Sequence, residues 1–309
     1  REGAWIDVYP FEGRNLHLLP NYKRVSFSKE LSDFAQTLPP PKFDAWIPFA
    51  NEINFGRTSV NVNSSIAQYR MVKATTESLA KKLPFAPEVE YNPCLSAGFL
   101  TATKDSKIIF QRRPDKVHCP RVFIHEPCGY ISSGYIEPRP ENPADEKHVK
   151  NPRLYDMQAQ LNRRRREIAD TFEMPIESVS CDHIQDFFGG GWRTVEGYFS
   201  TIGKIDAEEK DLKRSQDEEF VFVPFEQLKD LIYAQGRLSK VNPVGYNPDN
   251  STDLPLLDES TVGLIWGYEK LTGQKLDIED TVERLGRDGL SIRVYDTKPG
   301  MKYEFPTQF

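Results

Sequence analysis

A run of charged residues in the middle of the chain, RRRREIADTFEM at 163–174, has the residue types and the spacing for metal or phosphate chemistry. It places four arginines before two carboxylates, Glu167 and Asp170. Side chains three positions apart lie on one face of an α-helix, so these two carboxylates can act together. Carboxylate oxygens suit Mg²⁺ and Mn²⁺, and guanidinium groups match the geometry of phosphate. The segment therefore predicts either a metal and phosphate site or a solvated, charged helix face.

The elements around this segment predict a mixed α+β fold. Alternating apolar residues around a Lys-Asp-Ser turn predict a β-hairpin at 97–113, and 121–131 predicts a strand that runs into a glycine turn. A proline-rich loop at 137–152 leads into a helix that Pro175 ends. The glycines of FFGGGW at 187–192 predict a flexible hairpin turn. Further strands and a closing amphipathic helix are predicted around 179–184, 193–203, 219–223 and 225–236.

This order of hairpin, strand, glycine turn, carboxylate-bearing helix, strands and closing helix resembles the Nudix superfamily. FLTATKDSKIIFQRR (99–113) resembles its opening strands, and EEFVFVPFEQLKDLI (218–232) resembles its closing strand and helix. PCGYI (127–131) lies where the family signature begins with glycine, and REIADTFEM (166–174) lies on its helical Arg-Glu segment. The resemblance covers about residues 95–235. It implies a Nudix-type α/β/α sandwich around a mixed sheet.

The resemblance also divides the chain into three predicted segments. Residues 91–236 form the Nudix-like domain. Residues 1–90 form an N-terminal extension that is rich in aromatic residues and suited to dimer or substrate contacts. Residues 237–309 form a C-terminal helical and irregular extension packed on the core. Since members of this superfamily often form homodimers, a homodimer is a further expectation.

The resemblance implies roles for the charged residues. A Mg²⁺ or Mn²⁺ ion on this helix would neutralise a diphosphate and activate a water molecule. Glu167 and Asp170 are expected to bind the ion, with Arg166 buried against Glu167 to orient its carboxylate. Glu218 or Glu219 is expected to supply a further carboxylate, as a ligand or a base. Phosphate is expected to be contacted by Arg163, Arg164 and Arg165 or by Arg112 and Arg113.

Three positions depart from the family's pattern. Thr171 replaces a carboxylate, Glu173 replaces the terminal glycine, and Gln158 replaces an upstream glutamate. An insertion also separates Gly129 from the helix. Because a threonine hydroxyl is a weak, neutral ligand, the expected metal cluster lacks one member.

These departures leave three functions open. The first is a metal-dependent hydrolase of a diphosphate linkage in a nucleoside-diphosphate derivative. The second is a Nudix-fold protein without hydrolase activity that binds a nucleotide or a protein partner. The third is a different enzyme on the same fold.

Composition limits the broad class of the protein. The chain has 309 residues, of which 38% are hydrophobic and 28% charged, as is typical of a globular protein. A net charge of −6 argues against general nucleic-acid binding, which needs a broad basic face. No apolar run approaches the roughly 18–20 residues that span a bilayer, so no membrane interaction is expected. The N-terminal residues lack a signal-peptide pattern, and a cytoplasmic location is therefore expected.

Overall fold

The structure, a computed structural model, shows a mixed α+β protein. It describes residues 5–11, 13–40, 46–87, 94–113, 122–125, 128–130, 157–191, 196–213, 219–247 and 255–305. Within these residues, thirteen strands join into one mixed sheet, and the chain also forms six α-helices. None of the described helices is both long enough and apolar enough to cross a membrane.

The thirteen strands come from all three predicted segments of the chain. They are β1 (Trp5–Pro10), β2 (Asn15–Arg24), β3 (Trp46–Phe55), β4 (Ser59–Gln68), β5 (Cys94–Ala102), β6 (Lys107–Arg112), β7 (Phe123–His125), β8 (Cys128–Tyr130), β9 (Val179–Gly191), β10 (Glu196–Ile205), β11 (Phe220–Pro224), β12 (Ser291–Val294) and β13 (Lys302–Glu304). The β5–β6 hairpin confirms the prediction for 97–113, with Thr103 N–H donating to the Lys107 carbonyl at 2.8 Å.

Six helices are described, and three of them have a capping residue at one end. They are α1 (Lys29–Thr37), α2 (Tyr69–Ala80), α3 (Met157–Thr171), α4 (Leu228–Tyr233), α5 (Asp258–Thr272) and α6 (Ile278–Arg287). The side chains of Ser28 and Asp277 cap α1 and α6 by accepting backbone N–H bonds. Gly273 ends α5 in the left-handed conformation, with φ at 71°.

The sheet runs in the order β12-β1-β9-β10-β5-β3-β4-β2. Strand β5 also pairs with β6 and β8, while β6 pairs with β7 and β11, and β13 pairs with β3. The central pair, β5 and β10, is parallel, with Glu196 beside Cys94 and Lys204 beside Ala102.

The glycines predicted to form a turn lie instead inside β9, where Gly189–Gly191 pairs with Ile6–Val8 of β1. That part of the turn prediction is wrong.

Helices cover both faces of the sheet around β11. Alternate residues of a strand point to opposite faces. Phe220 and Phe222 pack in one core with Ile168 of α3. Val221 and Val223 pack in the other core, which includes side chains of α4 and α5. Helix α3 therefore lies on one face of the sheet, and helices α4 and α5 lie on the other.

The strands of the two predicted extensions belong to the same sheet as the predicted Nudix-like domain. Strand β1 lies between β9 and β12, and the Asp7 carboxylate accepts two bonds from Arg293, at 2.6 and 2.9 Å. An aromatic core beside them contains Tyr9, Phe188 and Phe305. The three-segment division stays a prediction, but the sheet and its cores run across it.

Candidate functional site

Helix α3 is held on the sheet by a stripe of apolar side chains. Leu161, Ile168 and Phe172 are buried in the α3 core, and the Phe172 and Phe220 rings are 5.3 Å apart. These residues are seven and four positions apart, which is the spacing of one helix face. The charged residues of α3 therefore lie beside this stripe or opposite to it.

Two arginines one turn before Glu167 fix its carboxylate. Oε1 accepts a bond from Nε of Arg163 at 3.0 Å, and Oε2 accepts one from Nη1 of Arg164 at 2.5 Å. Arg164 is buried, with 5% of the residue exposed, and Glu167 is half-buried. Charge-assisted bonds of this kind are short and directional. Glu167 is thus held in one orientation by the helix itself.

The prediction that Arg166 is buried against Glu167 is wrong. Arg166 is exposed, and its place is taken by Arg164. The reason is helix geometry, because Arg164 lies four residues before the buried Ile168 and shares its face, whereas Arg166 lies two residues before Ile168 and points away. Arg165 donates to the backbone carbonyls of Val179 and Ile176, at 2.7 and 3.3 Å.

Asp170 and Thr171 differ in their availability to a ligand. Asp170 lies three residues after Glu167 and is exposed. The Thr171 hydroxyl donates to the Glu167 carbonyl at 2.8 Å, so it is turned towards its own helix. Across the described part of the chain, no three His, Cys, Asp or Glu side chains come together as a potential metal site.

The fit to a divalent metal is therefore limited to two carboxylates. Mg²⁺ is commonly held by one or two protein carboxylates, together with water and substrate phosphate. Glu167 and Asp170, one turn apart on α3, fit a site of that kind. The described residues do not fit a closed cage made of protein ligands alone.

Glu219 does not join these two carboxylates. Its Oε2 accepts a bond from Nη1 of Arg112 at 2.8 Å. Val221 and Phe110 pair in the β6–β11 register, and both pack in the core under α4 and α5. Glu219 is two residues before Val221, and Arg112 is two residues after Phe110. Residues two positions apart in a strand share a face, so both lie on the α4–α5 face. Helix α3 covers the opposite face, so Glu219 is separated from Glu167 by the sheet.

The other predicted residues are only partly placed. Arg112 is paired with Glu219 and not held free for phosphate. The Arg113 backbone N–H donates to the Val122 carbonyl at 2.9 Å. Glu218 lies outside the described residues. The predicted site is thus reduced to α3, where four arginines and two carboxylates leave two net positive charges.

Sequence reasoning missed a buried polar pair in the other core. The Nδ1 atom of His125 lies 2.6 Å from the Ser260 Oγ, and both residues are buried. Burial lowers the pKa of His125 from 6.5 to about 3, so its ring is neutral. The ring also lies against Gly98 of β5, where an added Cβ would be 1.8 Å from Nε2. Since 135 positions separate His125 from Ser260, no local pattern indicates the pair.

Comparison with known proteins gives only distant structural similarity. No family model and no curated protein matches the chain. A crystal structure of a Deinococcus radiodurans protein is similar with 11% identity and a TM-score of 0.33, covering 61% of this chain and 89% of that one. A Nudix hydrolase from M. smegmatis, RenU, is similar with 16% identity and a TM-score of 0.24, covering 46% of this chain and 76% of that one. Scores this low carry no argument about function.

Proposed function

We propose that this chain is a Nudix-like protein that binds a small molecule with a diphosphate linkage and hydrolyses that linkage with Mg²⁺ or Mn²⁺. The substrate class is a nucleoside-diphosphate derivative. One observation carries the proposal. The Glu167 carboxylate is fixed by Arg163 and Arg164, while Asp170, one turn further along α3, is exposed.

Each residue of α3 has a separate role in this proposal. Glu167 and Asp170 would hold the metal ion, which when bound supplies charge neutralisation and an activated water. Arg163 and Arg164 orient Glu167. A carboxylate has about four lone-pair sites, so two accepted bonds leave it able to act as a ligand. Arg166 is exposed and would contact a phosphate group.

The net charge of α3 implies an order of binding. Two net positive charges favour an anion over a bare divalent cation. A diphosphate supplies the missing negative charge and further oxygen ligands. Metal binding is therefore expected to depend on the presence of the substrate.

A second candidate is a protein that binds a nucleotide without hydrolysing it. The observation in its favour is that both Glu167 oxygens accept arginine bonds, and the Thr171 hydroxyl is turned towards the helix backbone. The exposed Arg166 and the net positive charge of α3 would attract an anion without metal. Homodimer formation and a cytoplasmic location stay predictions under both candidates.

The test is the metal-dependent formation of a nucleoside monophosphate and a second phosphorylated product, separated by chromatography, from a panel of nucleoside-diphosphate derivatives with Mg²⁺ or Mn²⁺. We expect metal-dependent turnover that falls at least about a hundredfold in Glu167→Gln, as is typical when a group acts in the transition state. Glu173→Gln is the matched control, because Glu173 is an exposed glutamate just beyond α3 that pairs with the exposed Lys213. Binding without turnover anywhere on the panel would favour the second candidate.

A further inference from the structure

A cavity of about 390 Å³ opens at the ends of β5 and β10. Its volume is at the lower end of the range for small-molecule sites. Part of its lining is apolar and comes from Ala102, Ile205, Phe225 and Leu271. Ala102, Leu271 and Phe225 belong to or pack on the core under α4 and α5, on the face of the sheet away from α3. Ile205 belongs to the α3 core, so the cavity lies mostly, and not entirely, on the face of the sheet away from α3.

The polar part of the lining carries two charges that are not balanced by protein partners. Lys104 and Asp206 neutralise each other in an ion pair of 2.8 Å. Lys204 and Glu177 also line the cavity, and among the described residues neither side chain makes an ion pair or a hydrogen bond. One ammonium and one carboxylate are therefore available to a ligand in the same cavity.

Serine hydroxyls stand beside these charges. Ser180 lies opposite Lys204 in the β9–β10 register, so their side chains share one face of the sheet. Ser106 and Ser178 also contribute to the lining. A hydroxyl can donate to an anion beside Lys204 or accept from a cation beside Glu177.

The rim of the cavity is held in place by the backbone and by α3. The Asp206 N–H donates to the Ser178 carbonyl at 2.8 Å. Arg165 bonds the carbonyls of Ile176 and Val179, on either side of Glu177 and Ser178. A rim fixed in this way lowers the entropy cost of ordering a ligand.

We propose that this cavity binds a small zwitterion of the amino-acid type with an apolar side chain. Its carboxylate lies beside Lys204 and Ser180, and its ammonium lies beside Glu177. The apolar side chain packs on Leu271 and Phe225. This site is independent of the proposed diphosphate chemistry, and it makes use of both unbalanced charges and of the apolar lining.

The test is a ligand-observed NMR titration of the full chain with three related probes. Leucine carries both charges, isocaproate lacks the ammonium, and isoamylamine lacks the carboxylate. We expect leucine to bind about tenfold more tightly than either analogue, because each lost charge removes a charge-assisted contact.

Two variants assign each charge to its partner. Lys204→Gln should lower the affinity for leucine and isocaproate and leave that for isoamylamine unchanged. Glu177→Gln should lower the affinity for leucine and isoamylamine and leave that for isocaproate unchanged. Both side chains are exposed, so folding should be retained.

Two control variants test whether the effects are specific to the cavity. Lys298→Gln, at an exposed lysine paired with Asp296 and absent from the cavity lining, should bind all probes as the wild type does. Glu167→Gln should also leave leucine binding unchanged, which separates this site from the α3 site. The proposal is overturned if leucine fails to bind at millimolar concentration or binds no better than its analogues.

Discussion

At the scale of single residues, the carboxylate of Glu167 is the group on which the α3 site depends. Arg164 donates to it from a buried position, and Arg163 donates from a half-buried one. An ion pair sheltered from water loses more when one partner is removed than a pair at the surface does. The two contacts should therefore contribute to stability as well as to orientation.

Neighbouring arginines of α3 are predicted to respond differently to the same substitution. Arg164→Met should lower the free energy of unfolding by about 1–3 kcal/mol, because Glu167 loses a charged partner in a sheltered place. Arg166→Met is the matched control and should change it by less than about 0.5 kcal/mol, since Arg166 is exposed. Urea denaturation measures both values. Equal effects of the two substitutions would contradict the assignment of Arg164 as the partner of Glu167.

His125 is predicted to make the fold sensitive to acid. Its pKa is about 3 in the folded protein and 6.5 when unperturbed, so between these values the unfolded chain binds one more proton than the folded protein. Above pH 6.5 the histidine does not lower the free energy of unfolding. Between pH 6.5 and 3 it lowers the free energy of unfolding by about 1.4 kcal/mol for each pH unit.

Chemical denaturation of the wild type and His125→Asn across this pH range isolates the effect of the histidine. Asparagine does not titrate and can still bond with Ser260. The wild type should show the steeper loss of stability between pH 6.5 and 4. Parallel slopes for the two proteins would show that His125 does not titrate differently in the folded and unfolded states.

At the scale of elements, local sequence patterns predicted those features that local contacts determine. The β5–β6 hairpin follows from its turn residues, and the end of α3 follows from Pro175. Because glycine favours turns, the sequence predicts a turn for the glycines that lie in β9. Their actual place depends on pairing with β1, about 180 positions away in the sequence, which no local pattern indicates.

A glycine inside β5 is predicted to be required by packing across the sheet. Gly98→Ala would place a Cβ 1.8 Å from Nε2 of His125, so the buried ring or strand β5 would have to shift. The free energy of unfolding should fall by about 1–3 kcal/mol or more.

Gly286→Ala on α6 is the opposite case and provides the control. An added Cβ there meets no atom within 4 Å among the described residues, and alanine is a better helix former than glycine. This substitution should raise stability by up to about 1 kcal/mol. Thermal unfolding measures both changes, and a neutral Gly98→Ala would contradict the close approach of His125.

At the scale of the whole molecule, the sheet joins residues from both ends of the chain. Strand β1 pairs with β9 on one side and β12 on the other, and Asp7 bonds with Arg293 across that second pair. The core under α4 and α5 combines Ile6, Val262 and Leu285 with strands from the middle of the chain. The predicted Nudix-like domain therefore lacks part of its sheet and of its core when taken alone.

A fragment of residues 91–236 is predicted not to fold as an independent unit. It would expose the β9 edge and the apolar face that α5 covers in the whole chain. The full chain should unfold in a single cooperative transition, whereas the fragment should show none by near-ultraviolet circular dichroism. A cooperative transition of the fragment would support the three-segment division instead.

The sequence predicts only part of the α3 site. Spacing alone placed Glu167 and Asp170 on one helix, because both belong to the same element. Spacing did not predict that Arg166 is exposed. The face of α3 that meets the sheet is determined by Ile168 and its contacts with other elements. For Glu219, the alternation of β11 indicates the face of the sheet opposite to α3, and its predicted role as a ligand or base stays a prediction.

The most direct test of the proposed α3 site is Mn²⁺ binding followed by electron paramagnetic resonance. We predict little binding by the free protein and clear binding once a nucleoside diphosphate with a methylene bridge is added, because its phosphates complete the two-carboxylate site. Asp170→Asn should abolish the protein-bound signal, and a mixture of Mn²⁺ and the nucleotide alone provides the reference. A nucleotide that binds the protein while Mn²⁺ stays in the reference state would contradict the metal site and would leave a binding protein.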